Sequence, residues 1–411
     1  MAVDMTAVLG SNARTRFADL IAPLSPDEFL SRYWTREAVL LQAHGRDFTP
    51  YCSWEAVNAI LNAGDITFPV IKVSRRDSPI APELFTRKAG DRQLVDGRSV
   101  VNLFREGASF GITGADSHWT PLRQIVDCFH DALLESIHTN VYCSPARTQG
   151  FQCHYDLHEV FVLQIDGAKR WKVFRPLTDA PLESWNREAA EEVLQTEPYI
   201  DVVLEKGDVL YVPRGHWHYA VAEDSNSLHV TVGVTCRKGI DFIDWLSGEL
   251  AQDAVWRRNA PLIGAVQNGQ PPRERIGSWG ADLQRSLIGH LSDPKLFDRF
   301  LRDAIRSVQP LHAVDVVTQG SSNPPALETA TFERPAGRPF AVVQSELGDV
   351  VVSVAGSDIE LAGVNPALVT RIFETPSFTL ADVLSWDPTV NIEDLSELLT
   401  ALVQSGLLIA R

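Results

Sequence analysis

A chain of 411 residues is too long for one ordinary domain, and two or three are expected. Its hydrophobic share of 45% and charged share of 22% are those of a soluble globular protein. A net charge of −16 argues against unassisted nucleic-acid binding, which needs a basic patch, and suits a basic protein partner instead.

Along the chain, Ser25-Pro26-Asp27-Glu28 reads as a capping box with proline at the first helical position, launching the helix EFLSRYW. Glu55–Asn62 reads as a second helix. From about residue 66 the pattern turns to short β-like runs, ITFPVIKVS, SVVNLF and SFGIT, followed by a helical stretch from Pro121 to about Ser136. The glycines of GASFGITG lack the strand–GxGxxG–helix context of a nucleotide site. Residues 140–236 are dense in short strands separated by turns such as Asp166-Gly167 and Gly207-Asp208, which predicts a closed or double-sheet β architecture of the jelly-roll type. Within it, EVFVLQI-DG-AKRWKVF reads as a hairpin.

Helical periodicity returns over 239–308. A linker, TQGSSNPP, spans 318–325, and the end of the chain reads as helix, loop, helix, glycine cap and strand, an order typical of a winged helix. Domains are therefore expected at 1–238, 239–317 and 326–411. From 310 to 411 thirteen Asp and Glu stand against four Arg and no Lys, a net of −9, so the last module is expected to bind protein or act as scaffold rather than hold DNA. The five cysteines are odd in number and show no CxxC spacing, which predicts reduced thiols in a cytoplasmic protein. The first seventeen residues lack the pattern of a signal peptide, and no apolar run reaches membrane-spanning length.

The chemistry concentrates in FQCHYDLHEVFVLQIDGAKRWKVF and YVPRGHWHY. His154 and Asp156 are two apart, so on a strand their side chains share a face. A further histidine must come from a distant strand, and His216 and His218 share a parity that leaves both open. Two imidazoles and one carboxylate on one face of an octahedral ion suit Fe(II) and leave positions for a bidentate co-substrate and dioxygen. A lone HxD pair is common by chance; a spaced third histidine and a nearby lysine set this one apart. Lys169, Trp171 and Val173 share the apolar face of their strand. A lysine pointing into a barrel is costly unless it meets an anion, and a dicarboxylate such as 2-oxoglutarate would supply one. The bland alternative is a lysine snorkelling at the barrel rim.

The motifs N-x-Y, Q-G, H-x-D, E-x-F-x-L-Q-x-x-G, K-x-W, G-D-x-L-Y-x-P-R-G-x-x-H and S-L-H-x-T over 140–236 resemble those of the JmjC-type (cupin) oxygenases of the ribosomal oxygenase group. The resemblance implies an α+β fold. A double-stranded β-helix (jelly-roll, cupin/JmjC) core would be followed by a helical dimerisation region and a C-terminal winged-helix domain. It implies an iron centre of His154, Asp156 and His218, with PRGxxH selecting His218 over His216. It also implies a 2-oxoglutarate site with Lys169 at the distal carboxylate and Asn140, Tyr142 and Thr231 lining the pocket. A serine common near Gly233 in the family is absent, and Cys153 and His158 depart from the usual residues around HxD, which is expected to reshape the substrate mouth. The implied activity is Fe(II)-, 2-oxoglutarate- and O2-dependent hydroxylation of Arg or His in a ribosomal protein by a homodimer, without direct nucleic-acid or membrane binding. The alternatives are the same chemistry on a small molecule or biosynthetic peptide, or a cupin-like interaction protein without turnover.

Overall fold

A computed structural model describes residues 17–75, 78–184, 186–264, 271–307, 326–335, 340–344, 350–354 and 357–411. The linker expected at 318–325 lies outside them, as does nearly all of the extreme N-terminus. The described residues fall into two compact units. The larger holds the chain up to Cys236 together with 326–335 and Val364–Arg411, and the smaller runs from Arg237 and includes the strands within 340–363.

The larger unit is built on two sheets of antiparallel strands. One has eight strands in the order β1 (Val39–Leu41), β11 (Val209–Val212), β8 (Glu159–Asp166), β13 (Ser227–Thr235), β7 (Ser136–Ser144), β6 (Ser109–Thr113), β2 (Ile71–Arg75) and β3 (Ser78–Pro79). The other has three, in the order β10 (Ile200–Leu204), β9 (Lys169–Phe174) and β12 (Trp217–Ala222). A separate hairpin pairs β4 (Thr86–Ala89) with β5 (Arg92–Val95).

Strand parity sorts the side chains. On β8 and β11, Phe161, Leu163, Ile165, Val209 and Tyr211 face one core, which they share with Phe17, Ile21, Phe29 and Phe129 of the helical segments. Their neighbours Val160, Val162, Leu210 and Val212 face the small sheet, meeting Trp171, Val173, Leu204 and Ala220. Strands covered on both faces lose the alternation of a half-buried strand, which explains the unbroken run EVFVLQI. On β7 and β13 the helix-facing positions are Val141, Cys143, Val230 and Val232. The opposite parity carries Asn140, Tyr142, His229 and Thr231, and those four line a cavity between the sheets.

Two sequence expectations change here. EVFVLQI-DG-AKRWKVF is not a hairpin, because both edges of β8 are already taken by β11 and β13, and β9 pairs with β10 and β12 in the other sheet. Asp166-Gly167 is instead a corner between sheets. Gly167 has φ +66° there, and a Cβ would lie 2.1 Å from the Asn226 carbonyl oxygen, so only glycine fits. SVVNLF is helical, within Gly97–Arg105. Asp96 caps that helix by accepting the Arg98 N–H at 3.2 Å, and the apolar face at three- and four-residue spacing outweighs the β propensity of its valines. Of the capping box expected at Ser25, the forward half is seen: its hydroxyl accepts the Glu28 N–H at 3.2 Å, and Pro26 opens the helix Pro26–Arg32.

The C-terminal part of the larger unit has helices Pro366–Glu374, Leu380–Trp386 and Ile392–Gln404. With them is a three-stranded sheet, β18 (Ser377–Thr379), β14 (Thr331–Glu333) and β19 (Ile409–Ala410). The smaller unit has helices Gly239–Leu250, Ala254–Arg257, Pro272–Leu291 and Leu296–Ser307, and the sheet β15 (Phe340–Gln344), β16 (Val350–Val354), β17 (Ser357–Leu361). Leu246, Leu250 and Leu296 form its small core, and the Trp245 indole donates to Asp303 at 3.0 Å. Ile240, Ile243, Ile288 and Phe297 of the same helices are each about half exposed. No described helix is long and apolar enough to cross a membrane.

Candidate metal centre

The segment carrying His154 and Asp156 lies just before β8 rather than within it, so the same-face argument for a regular strand does not apply as written. His154 forms a one-residue antiparallel bridge to His218 at the start of β12. Its N–H donates to the His218 carbonyl at 3.1 Å, and the His218 N–H donates back at 2.7 Å. Two residues on, the Asp156 carbonyl accepts the Gly215 N–H at 3.0 Å. Gly215 has φ +82°, and a Cβ there would press on Pro181 at 2.7 Å, which explains the glycine of the Pro213-Arg214-Gly215 turn.

This backbone frame brings ligand atoms of His154, Asp156 and His218 within 4.8 Å of one another, the one such group of three among the described residues. The imidazole centroids are 4.5 Å apart, and His218 Nε2 lies 3.5 Å from Asp156 Oδ2. Each histidine makes the same second contact. His154 Nδ1 meets the Gln152 carbonyl at 2.7 Å, and His218 Nδ1 meets the His216 carbonyl at 3.0 Å. A carbonyl can only accept, so Nδ1 carries the proton on both rings and Nε2 is left as a lone-pair donor. That tautomer pair, with one carboxylate, is a donor set that fits a divalent first-row metal.

Electrostatics favour the same states. Burial drives the His218 imidazole down to about 4, helped by the neighbouring His154, so it is neutral at physiological pH. Burial works to raise Asp156, but the imidazoles of His154, His218, His158 and His138 outweigh it and hold the carboxyl below its ordinary range. A neutral imidazole and an ionised carboxylate are the forms that bind a cation.

His216 is not part of the cluster. It precedes β12 and its Nδ1 pairs with the Tyr199 hydroxyl at 2.6 Å, while that hydroxyl accepts the Ala38 N–H at 3.0 Å.

The other expected residues share the cavity. Lys169, Asn140, Tyr142 and Thr231 all line it alongside the three ligand candidates. Lys169 is 2% exposed, and its ammonium donates to the Ser144 hydroxyl at 2.9 Å. Burial pulls its pKa down to about 7. The snorkelling alternative is therefore excluded by geometry. The Tyr142 hydroxyl bonds with Asn140 and Thr231, and burial raises its pKa. Asn140 Oδ1 also accepts the Gly114 N–H at 3.2 Å.

Sequence reasoning gave no role to several residues that complete the cavity. His229 stacks on Tyr142 with centroids 5.1 Å apart, and it meets the edge of Trp171 at 5.5 Å. His229 Nδ1 and Trp171 Nε1 are buried and have no partner among the described residues. Such atoms are costly to leave unpaired, and with the Lys169 ammonium they mark a cavity that fits an anionic, oxygen-rich ligand. The motif S-L-H-x-T held the signal, because alternation puts His229 on the same side as Thr231. His158, for which the sequence did suggest a role at the substrate mouth, also lines the cavity, its ring 4.8 Å from that of His138. The pair occupies the space over Gly233, where a Cβ would lie 2.3 Å from the His138 ring and 2.8 Å from His158.

Residues 117–242 match the JmjC domain family. The chain is similar to a protein of Drosophila grimshawi named bifunctional lysine-specific demethylase and histidyl-hydroxylase NO66. The two are 28% identical over 338 residues, 77% of this chain and 44% of that protein. It is similar to ribosomal oxygenase 1 of Gallus gallus at 29% identity over 259 residues, 60% of this chain and 42% of that protein. The match therefore spans under half the length of these curated relatives. Among solved structures, the Escherichia coli ribosomal oxygenase YcfD in complex with cobalt and 2-oxoglutarate superimposes with a TM-score of 0.59. At 19% identity it covers 95% of this chain and 99% of that one, a likeness of fold. The motif block and the two-sheet architecture agree with the JmjC domain match over residues 117–242.

Proposed function

We propose that this protein is an Fe(II)- and 2-oxoglutarate-dependent dioxygenase that hydroxylates a protein, namely an Arg or His side chain of a basic ribosomal protein. The observation that carries the reading is one cavity holding both a two-histidine, one-carboxylate cluster and a fully buried lysine. The relatives named histidyl-hydroxylase and ribosomal oxygenase support the substrate class.

His154 and His218 would hold the metal through Nε2, each ring fixed by its Nδ1 hydrogen bond, and Asp156 would supply the carboxylate. Fe(II) with 2-oxoglutarate and dioxygen supplies an oxidant able to place one oxygen atom in an unactivated C–H bond, leaving succinate and carbon dioxide. Lys169 would pair with the far carboxylate of 2-oxoglutarate, with Ser144 orienting the ammonium. Asn140, Tyr142 and Thr231 would form the cavity wall, with His229 and Trp171, whose buried nitrogens lack partners among the described residues. Val160 and Ala220 keep the remaining wall apolar, so water is displaced when the cavity fills.

In this reading the helices between Gly239 and Ser307 pair two copies, consistent with the half-exposed isoleucines and Phe297, and the winged-helix-like module expected over 326–411 is carried by the helices and three-stranded sheet of 326–335 and 364–411. The net −9 of 310–411 leaves it to bind protein or act as scaffold rather than contact phosphates. The protein would act in the cytoplasm.

The test is peptide mass spectrometry of ribosomal proteins from cells carrying the gene, lacking it, and complemented with His154→Ala. One ribosomal protein lighter by a single oxygen in both altered strains is the expected result. No difference anywhere overturns the ribosomal assignment and moves the chemistry to a small molecule or peptide.

A further inference from the structure

A second hollow opens beside the metal cavity, and its character is different. It is walled by Phe68, Val73, Ile80 and Phe85 on one side and by the segment Gly150–His154 on the other. Phe151 and His154 belong to both hollows, so the groove leads directly to a candidate metal ligand. The two walls are tied together where the Ser74 hydroxyl donates to the Gly150 carbonyl.

Its lining is mostly apolar and, among the described residues, contains no carboxylate; apart from His154, Lys72 is the one titratable described side chain in it. Phe68 is 37% exposed, unusual for a phenylalanine with a neighbouring core to join. An apolar groove of this kind, continuous with a reaction cavity, marks a binding surface. With the solvent at its mouth included, it spans about 1240 Å³ against about 660 Å³ for the metal cavity, so it is the roomier of the two. A small-molecule substrate held at the metal would leave it exposed to water. An extended peptide would fill it, sending one side chain to the metal and laying a neighbour along Phe68 and Ile80.

We infer that this groove takes an apolar side chain of the protein substrate, at a fixed offset in sequence from the residue that enters the metal cavity. The inference rests on the protein-hydroxylase reading and adds a rule to it. The substrate is basic overall, to suit a chain of net charge −16, but the position next to the target is apolar, because a groove with no carboxylate gives a buried cation no partner.

The test uses random decapeptides with a fixed central histidine or arginine. They are offered to the full chain carrying cobalt and 2-oxoglutarate, and the retained pool is sequenced by mass spectrometry. Enrichment of Leu, Ile, Met or Phe by roughly tenfold at one offset is expected, the discrimination an apolar pocket provides. Phe68→Ser and Ile80→Asp should each abolish it while cobalt binding is unchanged. Phe68 is the safer of the two, since its exposure makes a folding defect less of a concern. A pool with no preferred offset, a preference that survives both substitutions, or no retained peptide overturns the inference. The retained peptides are then given Fe(II) and dioxygen. An apolar-flanked pool that gains no oxygen leaves the groove standing and overturns the hydroxylase reading. Oxygen gain without any flanking preference does the reverse.

Discussion

Tyr211 donates its phenolic hydrogen to the Glu159 carboxylate at 2.5 Å, and the same carboxylate oxygen accepts the Arg214 N–H at 3.3 Å. The Tyr211 oxygen in turn accepts the Thr35 N–H at 2.7 Å. Both side chains are buried, and burial raises the pKa of each. The network anchors the Pro213-Arg214-Gly215 turn that grips the Asp156 carbonyl, so it acts on the metal centre at one remove. Tyr211→Phe leaves the Thr35 N–H and one carboxylate lone pair without a partner and should cost about 3 kcal/mol in urea unfolding. Glu159→Gln keeps an acceptor for both donors and should cost clearly less. Equal losses would mean that charge, not hydrogen bonding, holds the turn.

His218 and His216 differ by two positions and should differ sharply in a calorimetric titration with Co(II). Altering a residue that merely supports a ligand costs roughly 10- to 100-fold in affinity, so removing a ligand with His218→Ala should cost more than that. His216→Ala should leave affinity nearly unchanged and lose about 1 kcal/mol of stability with its Tyr199 hydrogen bond. Loss of metal in both variants would contradict the exclusion of His216 from the ligand cluster.

Lys169 gives a pH signature. A free lysine titrates near 10.5 and burial brings this one to about 7, so between those values the unfolded chain binds a proton that the folded protein does not. Stability is therefore full above pH 10.5 and falls as pH drops toward 7, with a slope of up to about 1.4 kcal/mol per pH unit. Lys169→Met removes that slope. The variant should be the more stable protein at pH 7 and match its parent above pH 10.5. Added 2-oxoglutarate should raise the parent's Tm and leave the variant's unchanged; an equal rise in both would remove Lys169 from the co-substrate site.

Gly233→Ser tests the His138–His158 pair. A Cβ at 2.3 Å from the His138 ring cannot be accommodated without moving it, and overpacking of this sort costs about 1–3 kcal/mol. Adding His138→Ala should recover much of the loss, because the two sites share one space. No recovery would place the strain elsewhere.

The sequence made the local grammar readable: the Ser25 cap, the inward parity of Lys169 and Trp171, and the residue types of the ligand set. It misled where the outcome depended on residues far away in the chain. The Asp166-Gly167 turn has a hairpin's composition, yet β11 and β13 compete for β8 and win both edges. His216 and His218 are equivalent by parity; the PRGxxH motif chose between them through the family resemblance, and in the fold Tyr199, from beyond β9, holds His216. His154 and Asp156 come together through a bridge and the Gly215 amide rather than through a regular strand. The unpartnered nitrogens of His229 and Trp171 emerge only once two sheets enclose them.

The reciprocal amide bonds between His154 and His218 have a dynamic consequence. They are a clasp one residue pair long, placed where the HxD segment meets the small sheet, and coordination of a shared ion would add a second clasp to the same seam. Opening of that seam separates both imidazoles at once, so metal release and local unfolding become a single event. Amide hydrogen exchange at residues 154 and 218 should then slow together when the ion binds, leaving the core strands β8 and β13 unaffected.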